Sequence, residues 1–244
     1  ADLLRTYASS AGLQPGFGIA DEAYQLSVLR RIEGPKRWHR TTLTRFAATR
    51  FRGEALFAND QSLFEKYERF LAKRNLVDFD QLVIRAAGLL ETSNVAASVR
   101  ARWDVVLVDE FQDLNPVQYR VVRALARDHR HVFAVGDDDQ SIYSWAGADP
   151  AVFRTFVNDF GVTAKVHLEE NRRCPQNVFS VARTLVTVNT PIFDDRVPAT
   201  ADRASEYPVC AYQFDTDEQE AAWVVQDIIS DRQHHGHAWG DVAV

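Results

Sequence analysis

The 244 residues contain no methionine, two cysteines, and no run approaching the roughly 20 consecutive apolar residues that a membrane-spanning helix needs. No apolar segment behind a basic start opens the chain, so nothing reads as a secretory signal. A membrane location is therefore not expected, and cytoplasm is the default. Cys174 and Cys210 lie far apart without paired spacing, so neither a disulfide framework nor a zinc site is indicated and a reduced compartment is expected. A G-x-x-x-x-G-K-[ST] loop is also missing: Gly12 to Gly18 holds glycines but no Lys-Ser or Lys-Thr pair. A chain that opens Ala1-Asp-Leu-Leu without a methionine is expected to be an excised piece or a processed product. Its length still allows a sizeable core, predicting one domain plus parts of others.

What is present centres on residues 102–113. Val105 to Val108 form an apolar run that ends abruptly in Asp109 and Glu110, the pattern of a strand buried on both faces whose carboxyl end opens into a polar crevice. Adjacent carboxylates there suit a nucleotide site, one holding Mg²⁺ through its water shell and the other orienting an attacking water. The plainer alternative is a strand followed by an acidic loop. A second apolar run, His131 to Val135, breaks into Gly136-Asp-Asp-Asp-Gln140 and then Tyr143 and Trp145. Gln140 can hydrogen-bond a phosphate oxygen, and the two aromatics offer faces for an unpaired base, unless they are packing residues on an ordinary turn.

In chain order, residues 1–75 read as helical. Asp21 is placed to cap a helix, and Leu63, Phe64, Tyr67, Phe70 and Leu71 share one helical face. Asp78 reads most simply as the cap of the following helix. Asn115-Pro116 and Asp149-Pro150 open two further helices, and Gly161 stops the second. Ala164 to Leu168 and Pro208 to Phe214 are expected as strands, and Thr216 or Asp217 as the start of a last helix. Alternating strands and helices predict a parallel sheet covered by helices. His234, His235 and His237 read as a solvated turn in preference to a metal site.

Charge is uneven. Residues 1–75 hold 13 Lys/Arg against 8 Asp/Glu, whereas the remaining 169 hold 15 against 26. Between Gly34 and Gly53 there is no acid, while Lys36, Arg37 and Arg40 begin a basic run interleaved with Trp38, Phe46 and Phe51. Such a lobe can approach a phosphate backbone; equally, its arginines can pair with local acids on a solvated helix face.

The segments VVLVDEFQDLNPVQY (105–119), VFAVGDDDQSIYSWAGAD (132–149) and HLEENRRCPQNVF (167–179), in this order and spacing, resemble motifs II, III and IV of the UvrD/Rep/PcrA-type superfamily 1 DNA helicases. Val77 to Leu82 resembles the segment before motif II. The resemblance implies an α/β fold in which residues 1–75 are a helical 1B-like insertion. Residues 76–190 would be the C-terminal part of a first RecA-like motor domain, 191–207 a linker, and 208–244 the start of a second. It implies ATP and Mg²⁺ as cofactors, single-stranded or partly duplex DNA as partner, and 3′-to-5′ polarity.

By the same resemblance Asp109 organises Mg²⁺, Glu110 is the general base, and Gln140 senses the γ-phosphate. Tyr143 and Trp145 hold single-stranded DNA, Lys36, Arg37 and Arg40 lie on a DNA-facing lobe, and Arg173 stabilises the transferred phosphate. The family pattern is usually Asn-Tyr-Arg-Ser where this chain has Asn171-Arg172-Arg173-Cys174, so Arg172 replaces the tyrosine that stacks on adenine. Pairing of Arg172 and Arg173 with Glu169 and Glu170 is the alternative. The phosphate-cradling loop and the later motifs, expected on segments outside this sequence, leave the 244-residue chain expected to be inactive towards ATP. They also leave the sheet beside the 105–108 strand expected to be incomplete. A non-catalytic DNA-binding or partner-binding module, or the motor part of a helicase-nuclease subunit, stands as the alternative reading.

Overall fold

The computed structural model describes residues 1–92, 94–127, 131–144, 147–193, 199–204 and 208–244. They form two compact units, Ala1–His167 with Asn189–Arg196, and Leu168–Val188 with Val197–Val244. The first contains α1 (Asp2–Thr6), β1 (Gly18–Ala20), α2 (Glu22–Glu33), α3 (His39–Arg52), α4 (Ala58–Ala72), β2 (Leu76–Asp78), α5 (Phe79–Thr92), α6 (Val95–Arg100), β3 (Val106–Val108), α7 (Pro116–Ala126), β4 (Val132–Ala134) and α8 (Val152–Phe160). The second contains α9 (Gln176–Val186) and α10 (Asp217–His235).

Local chemistry sets most helix ends. The Asp21 carboxylate accepts from Tyr24 N at 2.8 Å and starts α2. Asn115 and Gln118 form a reciprocal capping box with Pro116 in the first turn of α7, the arrangement in which a proline's missing N–H costs nothing. Asp149 accepts from Ala151 N at 2.9 Å, so α8 begins two residues beyond Pro150, and Gly161 ends it in the left-handed conformation. Asp78 caps α5 through Gln81 N at 2.9 Å.

Residues 1–75 are not wholly helical. Gly18–Ala20 is a strand in parallel register with Leu76–Asp78. An added Cβ on Gly18 would stand 2.6 Å from Leu76 Cδ2, so that side-chain end would have to shift to admit one. Tyr67, Leu71, Phe46, Val28 and Leu29 pack beside this pair in one core, and Leu4, Phe17, Val77 and Leu89 in the next.

β3 and β4 form a second parallel pair, Val106 opposite Val132 and Val108 opposite Ala134. The expectation of a strand buried on both faces fails here: Leu107 is 72 % exposed, and Phe133 lies open beside it. Helix packing covers one face only. Among the described residues β3 pairs with β4 alone, so its other edge has no ladder partner, as expected of an incomplete sheet.

In the second unit neither Ala164–Leu168, at the approach to it, nor Pro208–Phe214 is a strand. A strand exists only as half of a ladder, and the bridge between Glu170 and Thr200 is all that forms among the described residues there. Tyr212 and Phe214 instead pack on Trp223 of α10, with ring centroids 4.2 and 5.7 Å away. Thr216 caps α10 and Gly236 closes it.

Candidate functional site

Parallel pairing places the carboxyl ends of β3 and β4 at one edge, so Asp109–Glu110 and Asp137–Gln140 emerge side by side. Phe111 anchors the first loop. Its ring is fully buried against Tyr119, Phe153 and Phe156, and its N–H donates to Val135 O at 3.0 Å. Held this way, Glu110 adopts a left-handed backbone (φ 49°), which a non-glycine residue adopts only when its surroundings enforce it.

Gln112 joins the two loops. It is 1 % exposed, its Nε2 donates to Glu110 Oε2 at 2.8 Å, and its Oε1 accepts from Asp137 N at 3.0 Å. A buried amide satisfied at both ends fixes the distance between the loops. Gly136 is its steric counterpart, because an added Cβ would lie 2.4 Å from Gln112 Oε1 and 2.9 Å from Phe111 N and Phe153 Cζ. Sequence reading assigned neither residue a role. Only Gly136 carries a local signal, its place between a strand end and an acid; the role of Gln112 exists only once the two loops meet.

On the second loop Asp137 caps the turn 138–140 through Asp139 N and accepts from Gln140 Nε2 at 2.8 Å. Asp138 and Asp139 hold the returning segment through Ile192 N and Asn189 Nδ2. The structure therefore links Glu110 through Gln112 to Asp137, and Asp137 in turn holds Gln140. Asp109 Oδ1 accepts from Glu110 N, and its other oxygen is engaged by no described residue. Tyr143 follows, 44 % exposed. Trp145 lies outside the described residues.

Arg172 and Arg173 belong to the second unit. Arg172 takes the alternative foreseen for it, pairing with Glu170 at 2.6 Å. Arg173 is exposed, its N–H donates to Asn171 Oδ1, and its guanidinium makes no ion pair with a described residue.

The basic run of the first unit is largely spoken for. Lys36 pairs with Glu33 and leans on the Trp38 ring, while Arg40, Arg45 and Arg52 pair with Glu22, Asp60 and Glu54. Phe46 is core. Arg50 is 6 % exposed and meets Glu68, Asp78 and Asp80, with Tyr67 Oη also donating to Asp78. Burial alone would lower the Arg50 pKa; the carboxylates of Asp78, Glu68 and Asp80 outweigh it and hold the guanidinium charged. Burial, then the Asp78 carboxylate, pushes the Tyr67 hydroxyl up.

Arg37 makes no ion pair with a described residue, and a second basic surface appears on α4. Lys66, Arg69, Lys73 and Arg74 line an open cleft of about 420 Å³ with Phe70, and none pairs with a described carboxylate. The Arg74 guanidinium lies 3.7 Å from the Phe70 ring centroid. That ring is a support for cations and not a free platform.

Residues 1–161 match the UvrD/REP helicase N-terminal domain. The chain belongs to the UvrD/Rep helicase family. It is 32 % identical to DNA helicase II of Escherichia coli (strain K12), over 99 % of this chain and 36 % of that protein. It is 30 % identical to the ATP-dependent DNA helicase Rep of the same organism, over 96 % and 37 %. The putative ATP-dependent DNA helicase YjcD of Bacillus subtilis (strain 168) matches at 33 % over 75 % and 24 %. The chain thus spans about a third or less of these UvrD/Rep relatives, and its short parallel sheets flanked by helices agree with a partial RecA-like fold. No helix among the described residues is long and apolar enough to cross a membrane.

Proposed function

We propose that this chain is the central part of an ATP-dependent DNA helicase or translocase, moving 3′ to 5′ on single-stranded DNA. The observation that supports it is the bridge by Gln112, which couples an acid pair suited to nucleotide hydrolysis to the loop that leads to the exposed Tyr143. The donor set agrees with Mg²⁺ and ATP. No group of three or more metal-binding side chains occurs among the described residues, so an ion here would rest on Asp109, water and phosphate oxygens, the coordination Mg²⁺ favours. When bound, that ion would neutralise charge on the phosphates.

Glu110, steadied by Gln112, accepts a proton from the attacking water. Gln140, on the neighbouring loop, contacts the terminal phosphate, and Arg173, by the family pattern, offsets the charge that develops. Arg172, in place of a stacking tyrosine, meets the base as a guanidinium plane. Tyr143 and Trp145 stack single-stranded bases. Arg37 and the α4 cations meet phosphates, and the exposed pairs of Lys36 and Arg40 yield to a phosphate at little cost. In domain terms, residues 1–75 are the insertion, 76–190 the first motor domain, 191–207 the linker and 208–244 the second.

The test is DNA-stimulated ATP hydrolysis by the intact protein. Glu110→Gln is expected to lower kcat by a factor of about 100 or more while DNA binding persists. Undiminished turnover would remove Glu110 from the chemistry. The 244-residue chain, which holds no phosphate-cradling loop, is expected to stay at background.

A further inference from the structure

The loop carrying Tyr143 is gripped from two sides. On one side, Asp149 N donates to Leu114 O at 3.1 Å, and a Cβ on Gly147 would stand 3.7 Å from that of Asn115, directly after the acid segment. On the other side stands the C-terminal end of α3. Arg52 Nη1 donates to Ser144 O at 3.1 Å, and Phe51 lies 3.7 Å from the same Gly147 position. Ser144 is the residue after Tyr143. The loop closes on itself between these supports through Gly147 N to Ser144 O and Ala148 N to Tyr143 O.

The end of α3 is itself fixed. Arg50, one residue before Phe51, is clamped by Glu68 of α4, Asp78 of β2 and Asp80 of α5, so three elements hold the turn from which Phe51 and Arg52 project. Gly53 then ends the helix in the left-handed conformation, which stops α3 at the loop. A surface arginine this close to a rigid anchor loses less freedom in holding one geometry than a long side chain on a mobile segment.

We infer that Arg52 is a positioning residue for the aromatic loop: seated by the Arg50 clamp, it holds the Ser144 carbonyl and thereby sets how Tyr143 is presented to single-stranded DNA. Residues 1–75 then act on DNA through the loop as well as through their own charge. This rests on the proposed stacking role of Tyr143.

The experiment measures binding of the 244-residue chain to a single-stranded oligonucleotide carrying 2-aminopurine, whose fluorescence is quenched on stacking, across a salt series. Arg52→Ala is expected to weaken binding about tenfold and to lose most of the quench. Arg52→Gln, which keeps a donor but no charge, is expected to restore the quench with an unchanged salt slope. If Arg52 instead touches a phosphate directly, Gln fails to rescue and the slope falls by about one, which overturns the inference. Tyr143→Ala separates the two readings: reduced quench there, with Arg52→Ala indistinguishable from the unmodified chain, sinks the positioning role alone. An unaltered quench in Tyr143→Ala, or no binding by the unmodified chain, removes the stacking role and this inference with it. Thermal melting of each variant controls for folding.

Discussion

Six cations lie between Lys36 and Arg52 and four between Lys66 and Arg74, and the two sets are spent differently. Five of the first six meet carboxylates, whereas none of the second four pairs with a described one. In the first set charge is turned inward, most completely at Arg50, where it holds helices and strand together. In the second it remains on the surface, supported by Phe70, available to a ligand. A dense basic run in sequence is thus a poor guide to a basic surface. The acids that consume it are Glu22, Glu33, Glu54, Asp60, Glu68, Asp78 and Asp80, all outside the acid-free window from Gly34 to Gly53.

Replacing Arg50 with alanine gives the sharpest test of this contrast. It strands three carboxylates around a buried site and is expected to cost about 3–5 kcal/mol in urea unfolding. A loss below about 1 kcal/mol would mean that the cluster is far wetter than its geometry suggests. Next in size is the joint replacement Lys66→Glu and Lys73→Glu. Stability should hold, while affinity for DNA phosphates falls at least about tenfold and the logarithmic salt slope shrinks by about two. An unchanged slope would show that α4 faces away from the nucleic acid. Smallest is Lys36→Ala with Arg40→Ala: melting should move by no more than about 0.5 kcal/mol and affinity by about threefold. A larger loss of affinity than in the α4 variant would invert the comparison.

The same distinction between local and distant partners governs what the sequence reveals. Asp21, Asn115, Asp78 and Gly161 announce helix ends because their hydrogen bonds close within a few residues. Strand ends at Asp109 and Gly136 are equally visible, since an apolar run that stops in acids is a local pattern. β1 was not visible: its three residues become a strand only by pairing with 76–78, far along the chain. The reverse error at 164–168 and 208–214 has the same origin, as apolar text alone makes no ladder. Within the candidate site, Asp109, Glu110 and Gln140 are candidates on residue type and position at two strand ends, and both strand ends are where the structure has them. Gln112 is not one, because its role depends on Asp137 N, 25 residues on. Arg50 reads as one more surface arginine until Asp78 and Asp80 fold against it.

Glu110 carries a further consequence. Its left-handed backbone is a conformation that glycine enters freely and other L-residues enter at roughly 1–2 kcal/mol. The residue best suited to that backbone therefore has no carboxylate, and the one with the carboxylate strains it. If Glu110 is the proposed base, selection for heat resistance and selection for turnover pull position 110 in opposite directions, and durability there is gained by discarding the carboxylate.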